Sequence, residues 1–212
     1  HFTGATMNQP AHFKFPVFPL NTVMFPGAFL PLQIFEPRYL RMVADCLKHE
    51  RGFIICKISS GREAGQAASF HPIGTLAKII DWNDQSGMLR ITCAGDRRLQ
   101  VLSSEISDDQ LITGEAVYLE REPTTGIAEQ HQPLVTIITD LYQQHDVDLD
   151  PELLTDATWV GFRLAESLPI SAARKQWLLE LTNPTLRLGA LAEDIERLRD
   201  EGNLGGNSEG RS

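Results

Sequence analysis

The stretch from Phe15 to Leu47, FPVFPLNTVMFPGAFLPLQIFEPRYLRMVADCL, constrains the fold most. It carries Pro16, Pro19, Pro26, Pro31 and Pro37 among twelve prolines in the chain. Proline fixes φ and donates no backbone hydrogen bond, so this apolar segment cannot be one helix and must break into short extended pieces. Pro26-Gly27 predicts a tight turn, with Val17, Phe18 and Leu20 extended before it and Phe29, Leu30, Leu32, Ile34 and Phe35 extended after it. From Pro37, a favoured first helical residue, the period changes. Tyr39, Met42, Val43, Cys46 and Leu47 then recur at helical spacing and give one apolar stripe.

Further along, residues 52–58 predict a short strand, and 59–71, rich in Gly, Ser and Ala, a loop that does not pack. Residues 73–82 resume as strand. Leu89, Ile91 and Cys93 alternate with Arg90 and Thr92 over 88–94, and 83–87 supply a hairpin turn. Short strands around Leu99 and Val101 and over 116–120 complete six or seven, which suits a closed or nearly closed barrel with one helix inserted early.

After Glu122-Pro123 the period becomes helical. Pro133 opens a stripe of Leu134, Ile137, Ile138, Leu141 and Tyr142. Asp150 with Pro151 opens a second that runs from Leu153 to Leu168. Ser171 caps a third with Ala173, Trp177, Leu178 and Leu181, and Asn183-Pro184 opens a fourth with Leu188, Leu191, Ile195 and Leu198. Four amphipathic helices predict a small bundle. The expected organisation is a tag remnant or disordered start over 1–13, a β-barrel over 14–122, a linker over 123–132, a helical bundle over 133–200 and a disordered tail over 201–212. The class is α+β.

The net charge of −9, with no basic run longer than a pair such as Arg97-Arg98, disfavours nucleic acid as a partner, because phosphates are met by clustered Lys and Arg. Cys46, Cys56 and Cys93 are odd in number, widely spaced and set in apolar patterns, so they are expected to be buried free thiols of a cytoplasmic protein. Polar residues and prolines interrupt every apolar run before it reaches membrane-spanning length.

Chemistry-bearing motifs are sparse. Residues 61–69 lack the glycine spacing and lysine of a phosphate-cradling loop, and neither GxSxG nor HExxH occurs. Residues 145–150 (HDVDLD) resemble the start of a calcium loop but continue with Pro151 where glycine is needed and Ala157 where a bidentate carboxylate is needed. His49, His71, His131 and His145 are read as solvated or capping. No catalytic residue, cofactor or metal is assigned. Phe25, Phe29 and Trp82, beside turns or on extended pieces, are candidates for apolar peptide contact, and Glu36 and Arg38, flanking Pro37, for a charged binding pair or a tie at the helix start.

The runs FPLNTVMFPGAFLPLQIFEPRY, IGTLAKI and AGDRRLQV resemble the amino-terminal substrate-binding domain of ATP-dependent Lon proteases over about residues 14 to 199. The IFEPRY version is similar to that of stand-alone Lon-domain proteins. The resemblance implies a PUA-like barrel of the Lon amino-terminal type, no ATPase or protease of its own, and a role in holding unfolded or exposed apolar segments of other proteins, alone or for a separate protease. It also implies that Arg97 or Arg98, at the family's Gly-x-x-Arg position, braces the barrel by pairing with an acid. The alternatives are a hydrolase with an unrecognised site and a PUA-like RNA-binding protein.

Overall fold

A computed structural model describes residues 10–85 and 87–202. The tag remnant and disordered tail expected at the two ends fall largely outside these residues, as does Ser86 of the 83–87 turn. The described residues divide into two compact units. The first runs up to Asn21 and resumes over Phe29–Leu119. The second takes Thr22–Ala28 and the chain from Glu120 onward. The segment holding Phe25 and the Pro26-Gly27 turn therefore packs with the helices, a placement that period and propensity did not indicate.

The first unit contains seven strands and one helix: β1 (Phe13–Leu20), β2 (Phe29–Ile34), α1 (Pro37–Lys48), β3 (Phe53–Ser60), β4 (Ser69–Phe70), β5 (Ile73–Gln85), β6 (Met88–Ile106) and β7 (Ile112–Tyr118). All strand pairs are antiparallel except β1–β3. Pairing runs β1–β7–β6–β5–β3 and returns from β3 to β1, while β2 adds to β6 and β4 to β3. Val17, Ile54, Cys56, Leu76, Leu99, Val101, Ile112 and Ala116, drawn from five of these strands, form a buried cluster. Fully burying each of the larger of these side chains contributes roughly 1.5–3 kcal/mol.

The prolines of β1 obey the ladder. Pro16 pairs only with β7 and Pro19 only with β3, and Val17 alone has partners on both sides. Each missing N–H thus falls where the strand has one neighbour. Gly74, in the IGTLAKI run, sits where an added Cβ would lie 2.4 Å from the Ile55 carbonyl oxygen and 2.6 Å from Cys56 Sγ, so no larger residue fits between β5 and β3.

Several expectations change. The strand pieces expected over 88–94 and around 99–101 are one 19-residue strand, because Gly95 and Arg98 both pair with β5 on either side of a bulge at Asp96 and Arg97. The 59–71 loop is partly packed: β3 reaches Ser60, β4 pairs with it, and Ala68 is buried. Leu47 ends the α1 stripe exposed.

In the second unit, α2 (Gln132–Gln143), α3 (Ala157–Ser167), α4 (Ala172–Glu180) and α5 (Pro184–Asp200) are the helices, and α3 contacts each of the other three. Ser171 Oγ accepts the Arg174 N–H, and Asn183 Oδ1 accepts those of Thr185 and Leu186, as the caps predict. The α3 start differs. Leu153–Thr155 form a 3-10 turn, and Asp156, in an extended conformation, caps α3 by accepting the Thr158 N–H, so the helix begins six residues after Pro151. Trp177 lies on the exposed side of α4 with the Arg174 guanidinium over its ring, and the buried positions are Gln176, Leu178 and Leu179. His131, read as solvated, is buried on a 3-10 turn, and its Nδ1 has no partner among the described residues. No helix among the described residues is long and apolar enough to cross a membrane.

Candidate functional site

Strand β6 lies between β2 and β5 at residues 89–94, and the three strands present two faces. Paired residues share a face, and faces alternate along a strand. Leu32, Ile91 and Trp82 form one cross-strand row. The rows on either side, Pro31–Thr92–Asp81 and Gln33–Arg90–Asn83, point the opposite way. Between these two rows, about 7 Å apart along the strands, lies a trough of about 540 Å³ lined by all nine residues. Pro31, Gln33, Asp81, Asn83 and Arg90 are exposed. Asp81 Oδ1 accepts the Trp82 backbone N–H at 2.9 Å.

Phe29 is 67% exposed and Trp82 57% exposed, so both are free for contact on this sheet. The register sets them on opposite faces: Phe29 pairs with Ala94 and Trp82 with Ile91, three residues apart on β6. A bulge at Ile80 shifts β5 against β6 and brings Trp82 into the Ile91 row. Phe29 instead shares the face of the two wall rows, as does Met88 at the other end of β6.

Phe25, Glu36 and Arg38 lie elsewhere. Phe25 is fully buried in the second unit, its ring 5.7 Å from that of Phe162, so its side chain offers no surface to a peptide. Arg38 is also buried. Its Nε donates to Glu36 Oε2 at 3.1 Å, Nη1 to the Gln110 carbonyl at 2.9 Å and Nη2 to the Glu63 carbonyl at 3.3 Å. Glu36 and Arg38 therefore tie the α1 start to two loops, the structural role open to them in the sequence. The neighbouring Tyr39 hydroxyl is pushed up to about 12, chiefly by burial and against the opposing pull of Arg38. Arg97 braces its strand by a different means than an acid: Nη2 donates to the Leu119 carbonyl at 3.2 Å, and the guanidinium lies over the Tyr118 ring.

A second hollow, of about 380 Å³, is lined by Lys14, Arg41, Asp45 and Arg51 around Phe15, Met42 and Leu111. Its arginines already hold carboxylates, Arg41 that of Asp109 at 2.6 Å and Arg51 that of Asp45. Both guanidinium groups are thereby matched by carboxylates. The trough residues Gln33, Asp81, Asn83 and Arg90 were missed as a site because each is unremarkable alone. The outward alternation of Arg90 and Thr92 was their one local signal.

Residues 14–197 match the family model of the ATP-dependent protease La (LON) substrate-binding domain. The chain belongs to this family. The Lon amino-terminal domain protein from Xanthomonas campestris, known from a crystal structure, is 32% identical with a TM-score of 0.74, over 85% of this chain and 98% of that one. A Lon protease of Parabacteroides distasonis is 25% identical over 130 residues, 59% of this chain and 16% of its own length. Protein cereblon of Gallus gallus is 30% identical over 141 residues, 63% of this chain and 31% of its own. The Lon-domain chain thus spans less than a third of either curated relative.

Proposed function

We propose that this Lon-type domain is a non-catalytic binding module that holds exposed apolar segments of other proteins on the β2–β6–β5 sheet. The observation that carries the proposal is the family match over 14–197, to a domain described as substrate-binding. The exposed Phe29 and Met88 and the trough between the wall rows, which share one face, supply surface for such a segment. Glu36 and Arg38 serve the module by fixing its loops. The closed circuit of strand pairings supports a PUA-like barrel, and the four carboxyl-terminal helices support a bundle beyond a linker at 123–132. Three buried thiols suit a reducing compartment such as the cytoplasm.

A fluorescently labelled, largely apolar peptide titrated with the purified chain tests the proposal. Saturable binding, weakened about tenfold by combining Phe29→Ser with Met88→Ser, is expected. An unchanged affinity in the double variant would remove this surface from the function. Cleavage of an unfolded protein by the chain alone would overturn the non-catalytic reading.

A further inference from the structure

The two walls of the trough differ in charge. In one, Arg90 stands between Gln33 and Asn83 in a single cross-strand row. Arg90 is exposed and forms no ion pair among the described residues, whereas Arg41, Arg51 and Arg163 each hold a carboxylate. Exposed Arg62, Arg121 and Arg199 also form no ion pair among the described residues, and what sets Arg90 apart is its place in the trough between two amides. A guanidinium presents a planar fork that meets both oxygens of a carboxylate, and two flanking amides add donors on either side.

The opposite wall, Pro31–Thr92–Asp81, carries one acid, and one Asp81 oxygen already accepts the Trp82 N–H. A run of acids in the trough would meet Asp81 with repulsion, while a single carboxylate turned toward Arg90 would not. Neither end of the trough is closed by a strand among the described residues: β2 pairs only with β6, and β5 pairs with β3 only over residues 75–77. A chain crossing three strands, about 10 Å, can enter and leave.

We infer that the trough receives an internal, extended segment of a partner protein with one acidic side chain among apolar residues, its carboxylate seated on Arg90 between Gln33 and Asn83. The inference rests on the binding-module reading and narrows its ligand. The apolar neighbours of the acid meet Pro31, and Phe29 and Met88 extend the same face beyond the walls.

The test uses three labelled peptides of ten residues, largely Leu, Val and Ser, with a single central Glu, a central Gln, or four consecutive Glu. Fluorescence anisotropy against the unaltered chain should show the single-Glu peptide binding about tenfold more tightly than the Gln peptide, with the advantage shrinking as salt rises. Arg90→Gln should remove that advantage and change Gln-peptide binding by less than about twofold. Equal binding of the Glu and Gln peptides to the unaltered chain overturns the acid preference and leaves the binding module standing. Tighter binding of the four-Glu peptide than of the single-Glu peptide overturns the restriction to one acid. Failure of all three to bind overturns this inference together with the binding reading.

Discussion

The Arg163 guanidinium donates to the carbonyl oxygens of Gly27 and Pro26, at 2.9 and 2.6 Å. A helix of the second unit thereby grips a turn that belongs, in chain order, between β1 and β2. The turn is of type II: the Ala28 N–H donates to the Phe25 carbonyl at 3.1 Å, and Gly27 has φ of 78°. A β-branched residue at Gly27 would clash with its own backbone at this φ. Gly27→Val is therefore expected to cost about 1–3 kcal/mol and to lower the melting temperature by roughly 2–12 °C. Thermal denaturation followed by circular dichroism checks it, and an unchanged midpoint would mean that the turn tolerates a side chain.

Arg187 is fully buried and is satisfied from every side. Its Nη1 donates to Glu122 Oε2 at 2.9 Å, Nη2 to Glu122 Oε1 and the Leu181 carbonyl, and Nε to the Leu178 carbonyl at 3.0 Å, with the guanidinium over Phe162. Arg187→Met strands the Glu122 carboxylate in the interior and should cost about 3–5 kcal/mol. Adding Glu122→Gln to that variant should recover part of the loss, because a neutral amide is cheaper to bury. Urea unfolding of the two single variants and the double variant measures the coupling.

Burial pushes the Cys46 thiol up to about 11 and those of Cys56 and Cys93 up to about 12. A thiolate is the reactive form, so all three should resist a disulfide reagent at pH 8 while the chain is folded and react at once in denaturant. Rapid labelling of any one in the native protein would show that it is exposed by local opening.

Asp45 is held below the usual carboxylate range, first by its hydrogen bond from Arg51 and further by the charges of Arg51 and His49. A depressed carboxylate stabilises the fold above its unfolded pKa and loses that contribution as pH falls through the folded value. The pair is largely exposed, so the effect is on the order of 0.5 kcal/mol. Asp45→Asn should melt slightly below the unaltered protein at pH 6, and the two should converge near pH 2.

Local chemistry made some of this fold legible in the sequence. The Pro26-Gly27 turn, the Pro37 helix start and the Ser171 and Asn183 caps depend on residues within four positions of one another. Long-range pairing was less visible. Nothing near Phe25 announces that seven residues leave the strand unit to join the helices, and nothing in GDRR announces that β6 continues through it with a bulge at Asp96 and Arg97. The same limit applies at the candidate site. Phe29 and Trp82 looked exposed from their positions, but only the register and the Ile80 bulge set their faces, and Arg90 acquires its meaning from Gln33 and Asn83 on two other strands.

The most direct measurement is a backbone amide chemical-shift titration of the isotope-labelled chain with an unlabelled apolar peptide carrying one glutamate. Binding on the β2–β6–β5 sheet predicts shifts concentrated at Phe29–Gln33, Asp81–Asn83 and Met88–Thr92, with the Arg90 amide among the largest. Shifts confined to other strands or to the carboxyl-terminal helices, or no shifts at millimolar peptide, would contradict it.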